Sequence, residues 1–191
     1  EGGSALGNNI RFGADVPLSE DQLCLRVSYA HNSIPGYIDN VVDGERNINT
    51  GSQTSGRAEL LWQGESISIS VTAMGQEIDS ENNALMALDT ETQDPYFGDL
   101  ENEVFVNEPF YKDIDFYSGT LDWDLGWANF VSATGYTDTQ TRRRVDTTVA
   151  YGNFADVVLR LPEGGSSYFD NGLDLQKFTQ EFRLTSQGDG P

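Results

Sequence analysis

Ser66-Ile67-Ser68-Ile69-Ser70-Val71-Thr72-Ala73 alternates apolar and small polar residues without a break. Side chains on a β-strand point to opposite faces in turn, so this stretch makes a strand with one greasy face and one wettable face. A helix through the same residues would scatter both kinds around its circumference.

The same period extends outward on both sides. Upstream, Gln63-Gly64-Glu65 turns the chain, and Ala58, Leu60 and Trp62 alternate with Arg57, Glu59 and Leu61, the last being the one break. Before that, Ile10, Phe12, Ala14, Val16 and Leu18 form one strand. Ser19-Glu20-Asp21 turns it into a second, with Leu23, Leu25, Val27 and Tyr29 interleaved with Cys24, Arg26 and Ser28. Downstream, a hairpin spans 115–125 and 127–139 with its hinge near Gly126, and a last strand sets Phe178, Phe182 and Leu184 against Lys177, Thr179, Glu181 and Arg183. The expected fold is all-β, an antiparallel meander of about seven strands.

Connections follow a rule. Short turns alternate with long polar stretches, at about 32–51, 79–113 and 141–174. Loops beyond about 12–15 residues are uncommon in soluble β-domains. Short turns on one side and long loops on the other, joined by two-faced strands of about 10 residues, are the pattern of outer-membrane barrels. Such barrels have even strand numbers, so about seven strands suggest a section of a larger one.

Composition narrows the function. The chain has 191 residues, 37% of them hydrophobic, with 31 acidic against 11 basic residues and a net charge of −20. Nucleic acid is excluded as a partner, because phosphate binding needs clustered Lys and Arg. The acidity reads first as solvated loops and second as attraction for cations. The single cysteine, Cys24, rules out an intramolecular disulfide and is expected to be a buried, inert thiol. No apolar run is long enough for a transmembrane helix. Glu1-Gly2-Gly3-Ser4 lacks the features of a signal peptide, and both ends read as cuts in a longer protein.

Several stretches carry a resemblance. Thr54-Ser55-Gly56-Arg57-Ala58-Glu59-Leu60-Leu61-Trp62-Gln63 is similar to a barrel strand of TonB-dependent outer-membrane receptors. So are Tyr117-Ser118-Gly119-Thr120-Leu121-Asp122-Trp123-Asp124-Leu125-Gly126-Trp127, running into Ser132-Ala133-Thr134-Gly135-Tyr136, and Lys177-Phe178-Thr179-Gln180-Glu181-Phe182-Arg183-Leu184-Thr185-Ser186. Gly36-Tyr37-Ile38-Asp39-Asn40 resembles a loop entry after an early barrel strand. The resemblance covers most strands and almost none of the long loops. It implies a 22-stranded barrel with an N-terminal plug, in the outer membrane of Gram-negative bacteria. Such a receptor imports siderophores, cobalamin, glycans or other scarce solutes with energy from TonB. This chain shows neither a plug nor a TonB box, so import in the parent would need more than these residues. With two open edges and an uncovered apolar face, the chain on its own is expected to curl up or to pair with another copy.

Candidate sites are few. His31, at a strand end, has no marked partners for nucleophilic catalysis, and one His with one Cys leaves no zinc site. No phosphate-binding glycine loop appears, so no enzyme and no cofactor are expected. Asp89, Glu91, Asp94, Asp99, Glu101 and Glu103 read as a solvated loop, with calcium as the sharper alternative, although the EF-hand pattern is missing. Loop aromatics are the better ligand candidates: Tyr96, Phe97, Phe110 and Tyr111, then Tyr151, Phe154, Tyr168 and Phe169. They serve equally to pack loop on loop. Arg142-Arg143-Arg144, the only basic run, reads as a partner for acidic loops or as a contact for an anionic ligand. Tyr96, Phe97, Tyr111 and Arg142 are the expected solute contacts. Trp62, Trp123 and Trp127, beside the short turns, fit an interfacial aromatic girdle. The competing reading is a soluble extracellular β-sandwich binding module, with calcium as an optional ligand. There the apolar faces would meet in a dry core instead of pointing outward.

Overall fold

The computed structural model describes residues 6–160 and 165–188. Seven long strands run in a single antiparallel sheet: β1 (Asn8–Ser19), β2 (Leu23–Ile34), β4 (Gly51–Gln63), β5 (Ile67–Ser80), β7 (Phe110–Asp124), β8 (Ala128–Asp146) and β9 (Tyr168–Ser186). Each pairs with the next in that order, so the sheet is a meander, and β1 and β9 are not bonded to each other. Two short strands, β3 (Asp39–Asn40) and β6 (Glu101–Asn102), pair in parallel within the loops. A helix, α1 (Thr148–Leu159), lies between β8 and β9.

The turns follow local chemistry. Asp21 takes a positive φ of 54° as Gln22 N–H returns to Ser19 C=O. Gly126 adopts φ 81°, where a side chain would be strained, and its N–H is held by the Asp124 carboxylate at 2.7 Å. The chain therefore hinges at Gly126, as the sequence suggests.

Residues paired across a ladder share a face, so the register can be followed in rows across the sheet. One row runs Ala14, Val27, Ala58, Ala73, Tyr117, Tyr136, Phe178. Two residues closer to the hairpins lie Val16, Leu25, Leu60 and Val71, then Leu23, Trp62, Ile69 and Leu121, with Phe182 on β9. Two residues further from them, Phe12 and Tyr29 are followed by Gly56, Gly75, Asp115 and Asp138. The next row holds Ile10 on the edge strand, then His31, Thr54, Glu77, Asp113, Gln140 and Asp174. One face of the sheet is thus apolar near the hairpins and turns charged at a common level, while the strands continue.

The opposite face is mainly polar over the same stretch, with Leu61, Met74, Phe116 and Val131 among its polar residues. Asp15, Arg26, Glu59, Thr72, Ser118, Gly135 and Thr179 form one of its rows. Arg26 and Asp15 pair there at 2.6 Å. Leu61, the break in the alternation, sits on this face opposite Cys24. Cys24 is half-buried, not buried as the sequence suggested, because its face carries polar neighbours and no covering layer.

Exposure runs against the usual rule. Val71 is 52% exposed and its chain neighbour Thr72 only 8%. Trp123 and Tyr117 are also exposed on the apolar face. Among the described residues the buried apolar cluster is Ile38, Ile48 and Val104, and all three lie in loops.

The strands are longer than the alternation alone suggests. β2 reaches Ile34, β5 reaches Ser80, β7 begins at Phe110, and β8 and β9 extend to Asp146 and back to Tyr168. Tyr111 and Arg142 are therefore strand residues, where the sequence reading placed them in loops. Beyond the apolar band both faces are mixed, with Ile78, Phe110 and Ile114 on the face of Thr72, so period two loses its contrast while the backbone ladder persists.

Candidate functional site

The loop end is where this chain organises polar side chains. Gly36 begins it: a Cβ there would lie 1.9 Å from the Asn47 carbonyl oxygen, so only glycine permits this approach. Asn49 Oδ1 accepts from the backbone N–H groups of Tyr37 and Ile38, at 2.7 and 2.8 Å. Asp39 Oδ1 accepts from Asn47 N–H. These bonds fold 35–50 into a tight loop with Ile38 and Ile48 inside.

A second loop, 81–109, is fastened to the first by two buried asparagines. Asn40 donates to the Val104 carbonyl and accepts from Val104 N–H, at 2.8 and 3.0 Å. Asn82 donates to the Ile48 carbonyl at 2.9 Å and accepts from Glu108 N–H at 2.8 Å. Each amide satisfies a backbone donor and acceptor at once, as buried peptide groups require.

The end of β8 locks onto the same unit. Asp146 Oδ2 accepts from Phe105 and Val106 N–H, and Asp146 N–H donates to Glu108 Oε1 at 2.7 Å. The other Glu108 oxygen accepts from Asn83. Burial pushes the Glu108 carboxyl above its ordinary value, and the nearby Asp146 charge adds to that. Burial also pushes Asp146 upward, but hydrogen bonds from Thr148, Val106 and Phe105 outweigh it and hold this carboxyl below its ordinary value.

Between this unit and the strand ends lies a cleft of about 530 Å³. Ile34, Ser80, Phe110 and Arg143 are linked in register on the polar face of the sheet and form one wall. Tyr37, Leu85, Val145 and Glu108 line much of the rest, with Asn49, Asn82 and Asn83 among them, and Arg144 also reaches it. Its size and its mix of apolar walls with a few polar groups suit a small solute.

The expected solute contacts are dispersed. Tyr111 and Arg142 are register partners and share a smaller cleft of about 350 Å³ with Pro109 and Asp170. Arg142 and Arg144 belong to the other face, where they pair with Asp174 at 2.7 Å and Asp170 at 2.8 Å. Their partners are carboxylates of β9, not of the acidic loop. Tyr96, exposed, and Phe97, half-buried, lie in 81–109 and line neither cleft. Tyr168 sits under Arg144, 4.1 Å from ring centre to guanidinium carbon, and Tyr151 is exposed on α1. The Phe154 side chain lies outside the described residues.

The acidic loop uses its carboxylates locally. Asp89 accepts from Glu91 and Thr92 N–H, which lowers its pKa, and Glu101 holds Gly98 N–H. Among the described residues, no three His, Cys, Asp or Glu side chains converge as a metal site would need. His31 bonds Thr54 Oγ1 at 2.9 Å on the apolar side of the sheet, at the charged level. Asn40, Asn49, Asn82, Glu108 and Asp146 were not singled out from the sequence. Asparagine enrichment in two loops is the only trace they leave there.

Compared with protein-family models, with curated proteins and with solved structures, the chain matches none.

Proposed function

We propose that this chain is a section of the wall of a transmembrane β-barrel in a bacterial outer membrane, in a receptor that imports a scarce solute with energy from TonB. One observation carries the membrane part: large apolar side chains stand exposed on one face of the sheet with no layer over them, as Val71 does beside the shielded Thr72. In water that arrangement forfeits about 1.5–3 kcal/mol for each large apolar side chain left out. In lipid it is the favourable one, with the wetted face turned to a lumen.

Dimensions support the reading. Five rows, from Trp123 and Phe130 up to Phe12 and Tyr29, cover about 27 Å of strand at about 3.4 Å per residue. At a tilt of about 35–45° this gives a band about 20 Å tall, comparable with the about 25 Å of known barrels. Trp62, Trp123 and Phe130 lie near one edge of the band, and Phe12, Tyr29, Tyr117 and Tyr136 near the other, as interfacial girdles require. A soluble sandwich would need a second layer over the apolar face, and among the described residues none covers it.

The receptor part rests on the resemblance of the strand sequences to TonB-dependent receptors and on the cleft at the loop end. TonB acts on such receptors through the plug, so the share of these residues is the wall and an outer vestibule. A siderophore or other metal chelate, cobalamin or a glycan is the class of cargo the resemblance implies.

Fluorescence quenching tests the membrane reading. Single-tryptophan variants retaining only Trp62 or Trp123 are placed in vesicles of dibrominated phosphatidylcholine. Both should be strongly quenched. A tryptophan introduced by Ser70→Trp, on the polar face, should not be. Equal quenching on the two faces, or a monomer that stays in buffer with none, would sink the proposal.

A further inference from the structure

We infer that the loop-end cleft takes a solute with an apolar, ring-sized body and a carboxylate, and that Arg143 is its anion anchor. This deepens the solute-binding reading above and rests on it.

The three consecutive arginines are not equivalent. Alternation along β8 sends Arg142 and Arg144 to one face and Arg143 to the other. The outer two are committed to Asp174 and Asp170, and Arg144 is also stacked on Tyr168. Among the described residues, Arg143 makes no ion pair and no side-chain hydrogen bond, and it lines the cleft opposite Phe110. Among the described residues Arg11, Arg46, Lys112 and Lys177 likewise make no ion pair, so what sets Arg143 apart is its place in the wall of the cleft.

The cleft contains one carboxylate that competes for this cation, Glu108. Both its oxygens are already engaged, by Asp146 N–H and by Asn83, and burial opposes its charged form more strongly than the nearby Arg143 charge favours it. It is therefore a poor permanent counter-ion. The guanidinium fork is left to donate two parallel hydrogen bonds to a planar carboxylate.

The remaining walls specify the body of the ligand. Ile34, Leu85, Val145, Phe110 and Tyr37 offer aliphatic and aromatic surface, and the polar side chains among them, Asn49, Ser80, Asn82 and Asn83, are already bonded within the protein. The surrounding acidity selects against multiply charged ligands, since each further negative charge meets the repulsive field of 31 acidic residues. A monoanion with an apolar ring satisfies all three conditions.

The test uses 2-naphthoate, and 2-naphthalenemethanol as its neutral counterpart, with the chain folded in detergent and binding followed by equilibrium dialysis. The naphthoate should bind saturably, and Arg143→Gln should weaken it about tenfold or more. The alcohol should bind Arg143→Gln as it binds the unaltered chain. Arg143→Lys should recover part of the naphthoate affinity, which separates loss of charge from misfolding. Arg142→Gln, on the other face, should leave it unchanged. Absence of saturable binding, or equal losses in Arg142→Gln and Arg143→Gln, overturns the inference. Saturable binding that depends on Arg143, in a chain whose tryptophans are not quenched by brominated lipid, would retain the cleft and discard the membrane.

Discussion

Val71 and Ile38 are both β-branched and apolar, yet one is 52% exposed on a fourteen-residue strand and the other 1% exposed in a loop. Among the described residues, the hairpin half has regular backbone and no buried apolar cluster. The loop half has irregular backbone and the chain's buried apolar cluster. On the proposed reading, each half is built for its solvent. Strands that satisfy their own peptide groups in a ladder can show side chains to lipid. Loops that face water must fold back on themselves to bury anything, and need side-chain amides to satisfy the backbone that burial strands. That division explains why three asparagines, Asn40, Asn49 and Asn82, are buried with Glu108 in the loop half, whereas the buried polar residue of the sheet is Thr72.

The largest expected effect breaks the loop half alone. Ile38→Ala should cost the 35–50 and 81–109 unit about 2–5 kcal/mol, because Ile48 and Val104 cannot refill the space. Amide exchange should then speed up at Val104 and Glu108 and stay unchanged in β4 and β5. Exchange rising uniformly through the sheet would mean that the halves are one cooperative unit.

The converse substitution separates the two solvents. Val71→Arg, midway along the apolar face, should destabilise the chain in lipid by about 2–4 kcal/mol, measured by urea unfolding in vesicles. Ser70→Arg, one residue earlier on the wet face, should cost far less. If the two cost the same, the apolar face is not in lipid.

A smaller effect tests the amide clasps. Asn49→Ala leaves the N–H groups of Tyr37 and Ile38 without their acceptor, at a cost of about 1–3 kcal/mol. Asn49→Asp keeps both bonds and should recover most of the loss. An unchanged loop in Asn49→Ala would show that water replaces the amide freely, which its 5% exposure argues against.

The two halves also differ in how far they can be foreseen. Ser66–Ala73 declares its strand because every second residue changes character, and the hinge at Gly126 follows from its turn chemistry. The upper strand ends do not declare themselves: in Gln76-Glu77-Ile78-Asp79-Ser80 neither face stays apolar, so the ladder there is held by its partners β4 and β7. Arg142 and Tyr111 fall in that unreadable zone. α1 has no acidic residue in its first turn and no side-chain cap on Thr147, so the usual start signals are missing. The clasp of Asn40 on Val104 joins residues 64 apart in the chain, and no local pattern encodes such a meeting.

The finest distinction concerns pH. Glu108 and Asp146 meet in one hydrogen-bonded pair but are shifted in opposite directions. Glu108 has a raised carboxyl pKa in the folded loop, so its contribution is complete below the ordinary glutamate value of 4.5 and is lost as pH rises through the folded value. Asp146 has a lowered one, so its contribution is present above the ordinary aspartate value of 3.8 and is lost as pH falls through the folded value. The loop unit should therefore be most stable in mild acid, between the two transitions. Glu108→Gln removes the loss on the alkaline side and leaves the acid limb in place. Protection factors at Phe105, Val106 and Asp146, corrected for intrinsic exchange, should show a falling limb above pH 4.5 in the unaltered chain and a flat one in Glu108→Gln. The strand amides of β5 carry neither carboxyl and should follow neither limb. If they follow both, the loop unit and the sheet titrate as one body, and the two halves do not answer to separate solvents.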